Sequence, residues 1–360
     1  MENVGNLLKN IRESKKMTQE EVGKALDLGR DAIIKIEKGT RKIKADELRQ
    51  FENLYNVSLE DLMMSEYSSN VKGIILAGGT GTRLYPITEA TSKQLMPVYD
   101  KPMIFYPLSV LMQAGIKDIL VITTKEDQAS FKRLLGDGSH FGVSISYIVQ
   151  PSPDGLAQAF VLGEKFIGDS PCAMVLGDNI YYGNGLEKEL KKAAKNAEDG
   201  YATIFGYQVK DPERFGIMEL DENKNVLSVE EKPEKPKSDF AITGLYFYPE
   251  GVSEYAKMIK PSPRGELEIT SLNDIYLKEK RLKARLLNDG YSWFDTGTED
   301  SLLDAANMVR TIESNRDSLI CSPEAIAYEN KWITDDELRE SADSMKKNKY
   351  GKRLAKILER

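Results

Sequence analysis

Apolar positions change their period along this chain. Between 7 and 54 they recur at helical intervals, as Leu7, Leu8 and Ile11, then Val22 and Leu26, Ile33 and Ile36, and Leu48, Phe51 and Leu54, the stripe by which short helices bury one face. From 71 onward, the apolar run at 74–77 reads as a strand buried on both faces, further strands are read at 119–124, 145–149 and 172–176, and helical patterns lie over 102–114 and 127–135. Strand and helix in alternation predict an α/β unit, Rossmann-like, with a mostly parallel sheet covered on both faces and ligands at the carboxyl edge of its strands. After 201 the runs YATIFGYQV, GIMEL, VLSVEEK and AITGLYFY are separated by turn residues. They predict a mixed sheet, extended by an antiparallel substrate platform, before a helix returns at LEITSLNDIYLKE. Residues 299–360 read as a charged helical segment anchored by Trp332, Tyr350 and Leu354.

The two periods divide the chain into a small all-α domain at 1–66, a linker at 67–70 within the polar stretch MSEYSSN, and a domain at 71–360. In the first, Thr18 with Glu21 forms a capping box, and the turn at 27–29 leads to a helix that stops at Gly39. Two short helices across such a turn are a helix-turn-helix.

Composition narrows the class. Of 360 residues, 41% are hydrophobic and 30% charged, which excludes extended disorder, and no apolar run reaches the length that spans a bilayer. The start is unlike a signal peptide, and Cys172 and Cys321 have no CxxC spacing, so reduced thiols in a cytoplasmic protein are expected. One histidine, His140, leaves acid-base work to carboxylates, lysines or the substrate itself, with His140 as a loop residue. A net charge of -7 does not favour nucleic acid, yet residues 30–44 carry six basic side chains against Asp31 and Glu37.

The candidate chemistry gathers where strands end. After the run at 74–77 come Gly78, Gly79 and Gly81, with Thr80 and Thr82 between them, where a backbone can bend sharply and turn its N-H groups toward a phosphate. Arg83 and Lys93 supply cations, and no Gly-Lys-Ser/Thr follows as a Walker loop requires. Gln150 in QPSPDGLAQA offers an acceptor and two donors to the imide edge of thymine or uracil, beside bare backbone at Gly155, while Asp154 could instead cap a helix. Asp178 ends a buried strand and Asp295 sits between aromatics and a glycine turn, together a carboxylate pair for Mg²⁺. Lys232 and Arg264 could meet a second phosphate.

GGTGTRLYPIT and KQLMP resemble the signature of the sugar-phosphate nucleotidyltransferases, and with QPSPDGLAQAF, LGDNI, RFGIMEL, EEKP, ITGLYFY, RGELEIT and WFDTGT the likeness narrows to the glucose-1-phosphate thymidylyltransferase family, over the whole of that family's length. The resemblance implies attack by the phosphate of glucose 1-phosphate on the α-phosphorus of dTTP, with Mg²⁺, giving dTDP-glucose and pyrophosphate for deoxysugar synthesis of the dTDP-rhamnose type. It implies that Leu76, Gly78, Gly79, Gly81, Thr82, Arg83, Gln94, Gln150, Gly155 and Asp178 meet the nucleotide. Asn179, Gly216, Glu231, Lys232, Ile242, Tyr246 and Arg264 would hold the sugar phosphate, and Asp178 and Asp295 the metal, with Arg83, Lys93, Asp178 and Lys232 catalytic. Phe215 departs from the family's frequent tyrosine and lacks its hydroxyl. A homotetramer with a regulatory nucleotide site between subunits is also implied. A UTP-dependent uridylyltransferase is the rival enzyme reading.

TQEEVGKALDLGRDAIIKIEKGTRKI and LRQFENLYNVSLEDLM are similar to phage-repressor-like helix-turn-helix domains, and the enzymes of the other resemblance usually begin at the equivalent of Val71. By that likeness Gln19, Arg30, Asp31 and Lys35 would face the bases of double-stranded DNA, and Lys38, Arg41 and Lys42 its phosphates. A regulator whose enzyme-like half senses a sugar nucleotide is the reading from another class.

Overall fold

The computed structural model describes residues 4–58, 67, 69–79 and 81–359. Thr80, Ser68 of the expected linker and the end of the expected helical domain at 59–66 lie outside the described residues. The chain divides into two compact units, Met1–Tyr67 and Ser68–Arg360.

In the first unit, helices α1 (Val4–Ser14), α2 (Gln19–Ala25), α3 (Arg30–Glu37) and α4 (Ala45–Tyr55) close over Leu8, Val22, Ile33, Ile36, Phe51 and Tyr55. The helical period of the sequence is what puts these residues on one side. Both halves of the Thr18 capping box are formed, so α2 starts where its sequence says it should. Arg12 donates to Glu37 at 2.6 Å and the pair is buried, with the Gln19 amide also donating to Glu37 at 2.8 Å. A buried guanidinium and carboxylate tie α1 to the end of α3.

Among the described residues the second unit is built on thirteen strands: β1 (Lys72–Ala77), β2 (Pro97–Val98), β3 (Lys101–Pro102), β4 (Asp118–Thr123), β5 (Ser144–Val149), β6 (Cys172–Leu176), β7 (Asn179–Gly183), β8 (Ala202–Gln208), β9 (Gly216–Leu220), β10 (Val226–Glu231), β11 (Phe240–Tyr248), β12 (Leu282–Leu287) and β13 (Tyr291–Asp295). Nine form one sheet, in the order β10-β9-β11-β6-β1-β4-β5, with β8 pairing β11 and β12. β1 lies parallel between β4 and β6, and β4 parallel to β5, as apolar runs separated by helices require. β11 runs antiparallel to β6, β8 and β9 and makes the sheet mixed. The central strands are buried through Ile74, Ile75, Ile122, Met174 and Val175.

A separate two-stranded ribbon, β7 with β13, has no counterpart in the expectations from sequence. Its residues alternate too irregularly to show a period of two. The C-terminal segment is helical as expected, with helices at Glu299–Arg316, Pro323–Glu329, Asp335–Ser344 and Lys349–Ile357. Tyr350 and Leu354 are buried, and Trp332 packs beneath the Lys117 ammonium, 4.7 Å from the ring centre. No helix among the described residues is long and apolar enough to cross a membrane. Both cysteines are buried and unpaired.

Candidate active site

Two cavities, of about 510 and about 400 Å³, share a wall made by Arg83, Leu156, Leu176, Asp178 and Glu266. They open where β1 and β6 end, since Leu76 and Leu176 are register partners and Gly79 and Asp178 follow them. The smaller lobe is lined by Leu76, Gly79, Gln94, Gln150, Pro153 and Gly155. The larger takes in Asn179, Gly216, Glu231, Lys232, Ile242, Tyr246, Arg264 and Asp295. All seven residues expected at the sugar phosphate therefore stand in one lobe, and Leu76, Gly79, Gln94, Gln150 and Gly155 of those expected at the nucleotide in the other, with Arg83 and Asp178 between them. Gly78, Gly81, Thr82 and Lys93 line neither.

Gly78 and Gly81 act from behind the wall. A Cβ on Gly78 would lie 1.9 Å from Gln150 Oε1, so its absence makes room for that amide. Gly81 holds φ at +63°, a left-handed conformation that favours glycine, and its carbonyl accepts from Thr88 Oγ1 at 2.7 Å. These contacts set the turn that leads into Arg83.

Asp178 and Asp295 come to line one cavity because β7 and β13 pair with Asp295 opposite Asn179. Thr296 then fastens the junction, donating from Oγ1 at 2.7 Å and from its backbone N-H at 3.2 Å to the Asp178 carbonyl. Their ionisations are pushed apart. Burial raises the Asp178 carboxyl, but the charge of Lys93 and hydrogen bonds from Lys93 and Asn179 outweigh it and leave Asp178 below its ordinary value. Asp295 is raised, by burial first and then by the Asp178 charge, against weaker opposing pulls from Lys93, Arg83 and Arg214.

Lys93 is buried and its ammonium contacts Asp178 Oδ2 at 2.5 Å, so in this state it faces the carboxylate and not the open cleft. Asn179 is likewise committed. Its Oδ1 accepts from Trp293 Nε1 at 2.7 Å and the Gly244 N-H at 3.2 Å, which turns Nδ2 to donate to Asp178 at 2.9 Å. Asn179 thus orients the Asp178 carboxylate besides lining the cavity. Asp154 caps no helix: helix Gln158–Leu162 starts after Ala157 without a side-chain cap, and Asp154 instead accepts from Gln158 Nε2 at 2.7 Å. Gln158 in turn accepts from Gln150 Nε2 at 2.7 Å, fixing the expected base reader.

In the larger lobe Lys232 is exposed, with φ at +42°. Arg264 donates to Glu268 at 2.9 Å and lies 3.4 and 3.6 Å from Glu231 and Glu266, so a phosphate arriving there would compete with three carboxylates. Thr270 Oγ1 donates to Glu231 at 2.5 Å. Arg214, Glu266, Glu268 and Thr270 line the lobe without having been singled out from sequence. Arg214 begins the RFGIMEL run, two positions before its glycine, and that adjacency was the available signal.

Asp178 and Asp295 fit a divalent cation that takes one or two carboxylates and completes its shell with phosphate oxygens and water. Among the described residues no cluster of three metal-binding side chains exists, so any ion held here would depend on the ligand for the rest of its shell.

On the DNA-facing candidates the structure divides. Arg30, Asp31, Lys38 and Lys42 stand at the surface with Lys35, whereas Gln19 is engaged with Glu37, and Arg41 pairs with Glu47 at 2.6 Å. The last two are less available than the sequence suggests.

Fold and cleft define a nucleotidyltransferase: the nucleotidyl transferase family model matches residues 72–312, and a helix-turn-helix model matches residues 8–62. A glucose-1-phosphate thymidylyltransferase of Neisseria meningitidis is 59% identical over 290 residues, 81% of this chain and 100% of that protein, and one of Mycobacterium tuberculosis is 52% identical over the same share of each. A Bacillus anthracis protein assigned as a glucose-1-phosphate thymidylyltransferase, solved with sucrose, superposes with a TM-score of 0.62 at 43% identity, covering 67% of this chain and 95% of its own. A UDP-glucose pyrophosphorylase solved with UDP-glucose has a TM-score of 0.60 at 24% identity, covering 67% of this chain and 99% of its own, a likeness of fold. The chain belongs to the glucose-1-phosphate thymidylyltransferase family, with a helix-turn-helix domain ahead of the enzyme.

Proposed function

We propose that the cleft joins dTTP to glucose 1-phosphate, releasing pyrophosphate and leaving dTDP-glucose. The observation that carries this reading is the two-lobed cavity whose common wall holds Arg83 and Asp178. Two anionic ligands entering from opposite lobes would meet there, as an in-line displacement requires. Gln150 and Gly155 would read the thymine edge, and Arg83 and Lys93 would neutralise the triphosphate. In the other lobe Lys232 and Arg264 would hold the attacking phosphate, with Asn179, Gly216, Glu231, Ile242 and Tyr246 around the sugar.

The nucleophile is already anionic, so the chain needs no general base and forms no covalent bond to substrate. Its work is alignment and charge neutralisation. Mg²⁺, held by Asp178 and Asp295, would supply further positive charge against the phosphate oxygens as pyrophosphate departs. The Lys93 charge and the hydrogen bonds from Lys93 and Asn179 favour the ionised form of Asp178, beside an Asp295 carboxyl that is raised.

The test is turnover with Mg²⁺ against a panel of nucleotides and sugar 1-phosphates. Fastest release of pyrophosphate from dTTP with glucose 1-phosphate is expected. A clear preference for UTP would establish the uridylyltransferase reading, and no turnover with any pair would favour a sugar-nucleotide sensor. The product would feed deoxysugar synthesis of the dTDP-rhamnose type, in the cytoplasm, from a homotetramer.

For the N-terminal unit we propose contact with double-stranded DNA through Arg30, Lys35, Lys38 and Lys42. Gel shift with random duplex DNA at low salt, with and without dTDP-glucose, tests it. No shift under either condition would leave the domain as an assembly module.

A further inference from the structure

The turn that delivers Asp295 also carries a glycine whose missing side chain would run into one particular group. A Cβ built on Gly297 would lie 2.6 Å from Arg83 Nη2, 2.8 Å from Cζ and 2.9 Å from Nη1, and the guanidinium supplies all three of its nearest atoms. The φ of Gly297 is not in the left-handed region. Its φ is therefore open to an alanine, whose methyl would have to displace the guanidinium from the space it takes.

Both partners are held from behind. On one side, Thr296 is bonded twice to the Asp178 carbonyl, and Thr298 caps helix Glu299–Arg316 by accepting from the Ser301 N-H at 3.3 Å. Gly297 lies between these anchors. On the other, the turn Thr82–Leu84 is pinned by the buried Leu84 and by the Leu84 N-H donating to the Gly81 carbonyl at 2.9 Å. Arg83 itself is exposed, so its long side chain is the part that can move.

We infer that Gly297 is a positioning residue, a flat seat that lays the Arg83 guanidinium across the turn at the common wall of the two lobes. The inference rests on the reading of Arg83 as a triphosphate ligand. It adds that the direction of this cation is set by the Asp295–Thr298 turn and not by the glycine loop alone. One turn then positions three things: the Asp295 carboxylate, the Asp178 backbone through Thr296, and the Arg83 charge through Gly297.

A four-member cycle of the full-length enzyme, Gly297→Ala and Arg83→Ala singly and together, tests it through the dTTP dissociation constant by titration calorimetry and kcat/KM by pyrophosphate release. Gly297→Ala is expected to weaken dTTP binding about tenfold in the native background, and to change it by less than about twofold once Arg83 is alanine. An equal loss in both backgrounds would overturn the seat, as would no loss in either. Should Gly297→Ala fail to fold, folding of the double variant would support the proposal, because the obstruction has been removed. Failure of both would overturn it. If Arg83→Ala leaves dTTP binding intact, the reading of Arg83 fails first, and that result is distinct from failure of Gly297 alone.

Discussion

The Lys93 ammonium rests 2.5 Å from Asp178 Oδ2, so a cation expected on the nucleotide is, in this state, the counter-ion of a carboxylate expected on the metal. Each member prepares the other. Lys93 keeps Asp178 ionised inside the protein, and Asp178 holds Lys93 beside the place where the two lobes meet.

Lys93→Ala should lower turnover about 10²- to 10³-fold, the usual effect of removing one charge-stabilising donor. It should leave the fold intact. Pyrophosphate release from dTTP by the purified variant is the measurement, and a rate near that of the native enzyme would refute the role.

Gly78→Ala should raise the KM for dTTP about tenfold with little change in kcat, since uniform loss of binding appears in KM. The added Cβ would meet Gln150 Oε1, whose amide is already held by Gln158. Steady-state kinetics with dTTP and UTP side by side check it: equal KM values for variant and native enzyme would remove Gln150 from base recognition.

Glu324 gives a dependence on pH. Burial raises its carboxyl above the ordinary 4.5, only partly offset by hydrogen bonds from Tyr350 and Ser322. At this one group the fold keeps a proton that the unfolded chain releases just above pH 4.5, and the group's contribution to stability falls as pH rises from there through the raised value. A carboxyl that titrates one pH unit later in the fold than in the unfolded chain changes stability by about 1.4 kcal/mol, roughly 2–4 °C in melting temperature. Glu324→Gln has no proton to lose, so the melting temperature of the native protein should decline relative to that of the variant as pH rises through this window. Parallel slopes for the two proteins would count against this account.

Glu37→Ala should unfold the N-terminal unit while sparing catalysis. It leaves the buried Arg12 with only the more exposed Glu13, 3.3 Å away, as counter-charge, and breaking a buried pair costs about 3–5 kcal/mol, much of the stability of so small a domain. Calorimetry should show the N-terminal transition lost and turnover of dTTP and glucose 1-phosphate retained. Loss of turnover in parallel would mean that the enzyme depends on the folded N-terminal unit.

Much of the fold was legible. Apolar runs in β1, β4 and β6, and the shorter one in β5, have a single reading when helical stretches separate them, and the Thr18 capping box marks the start of α2 from two residues. What escaped was short or irregular. β7 and β13 pair through Tyr181, Tyr182, Trp293 and Phe294 with no alternation to reveal them. Arg214 and Thr270 enter the cleft from elements whose own patterns point elsewhere.

The sequence by itself determined the strand ends, the glycine turn and the residue types that could bear phosphate, because period and steric freedom are local properties. Only the tertiary structure decided that Thr296 would reach Asp178, 118 positions away, and that Arg83 would lie on Gly297. Those meetings depend on the register of an antiparallel ribbon, and register is a relation between strands that neither strand carries alone.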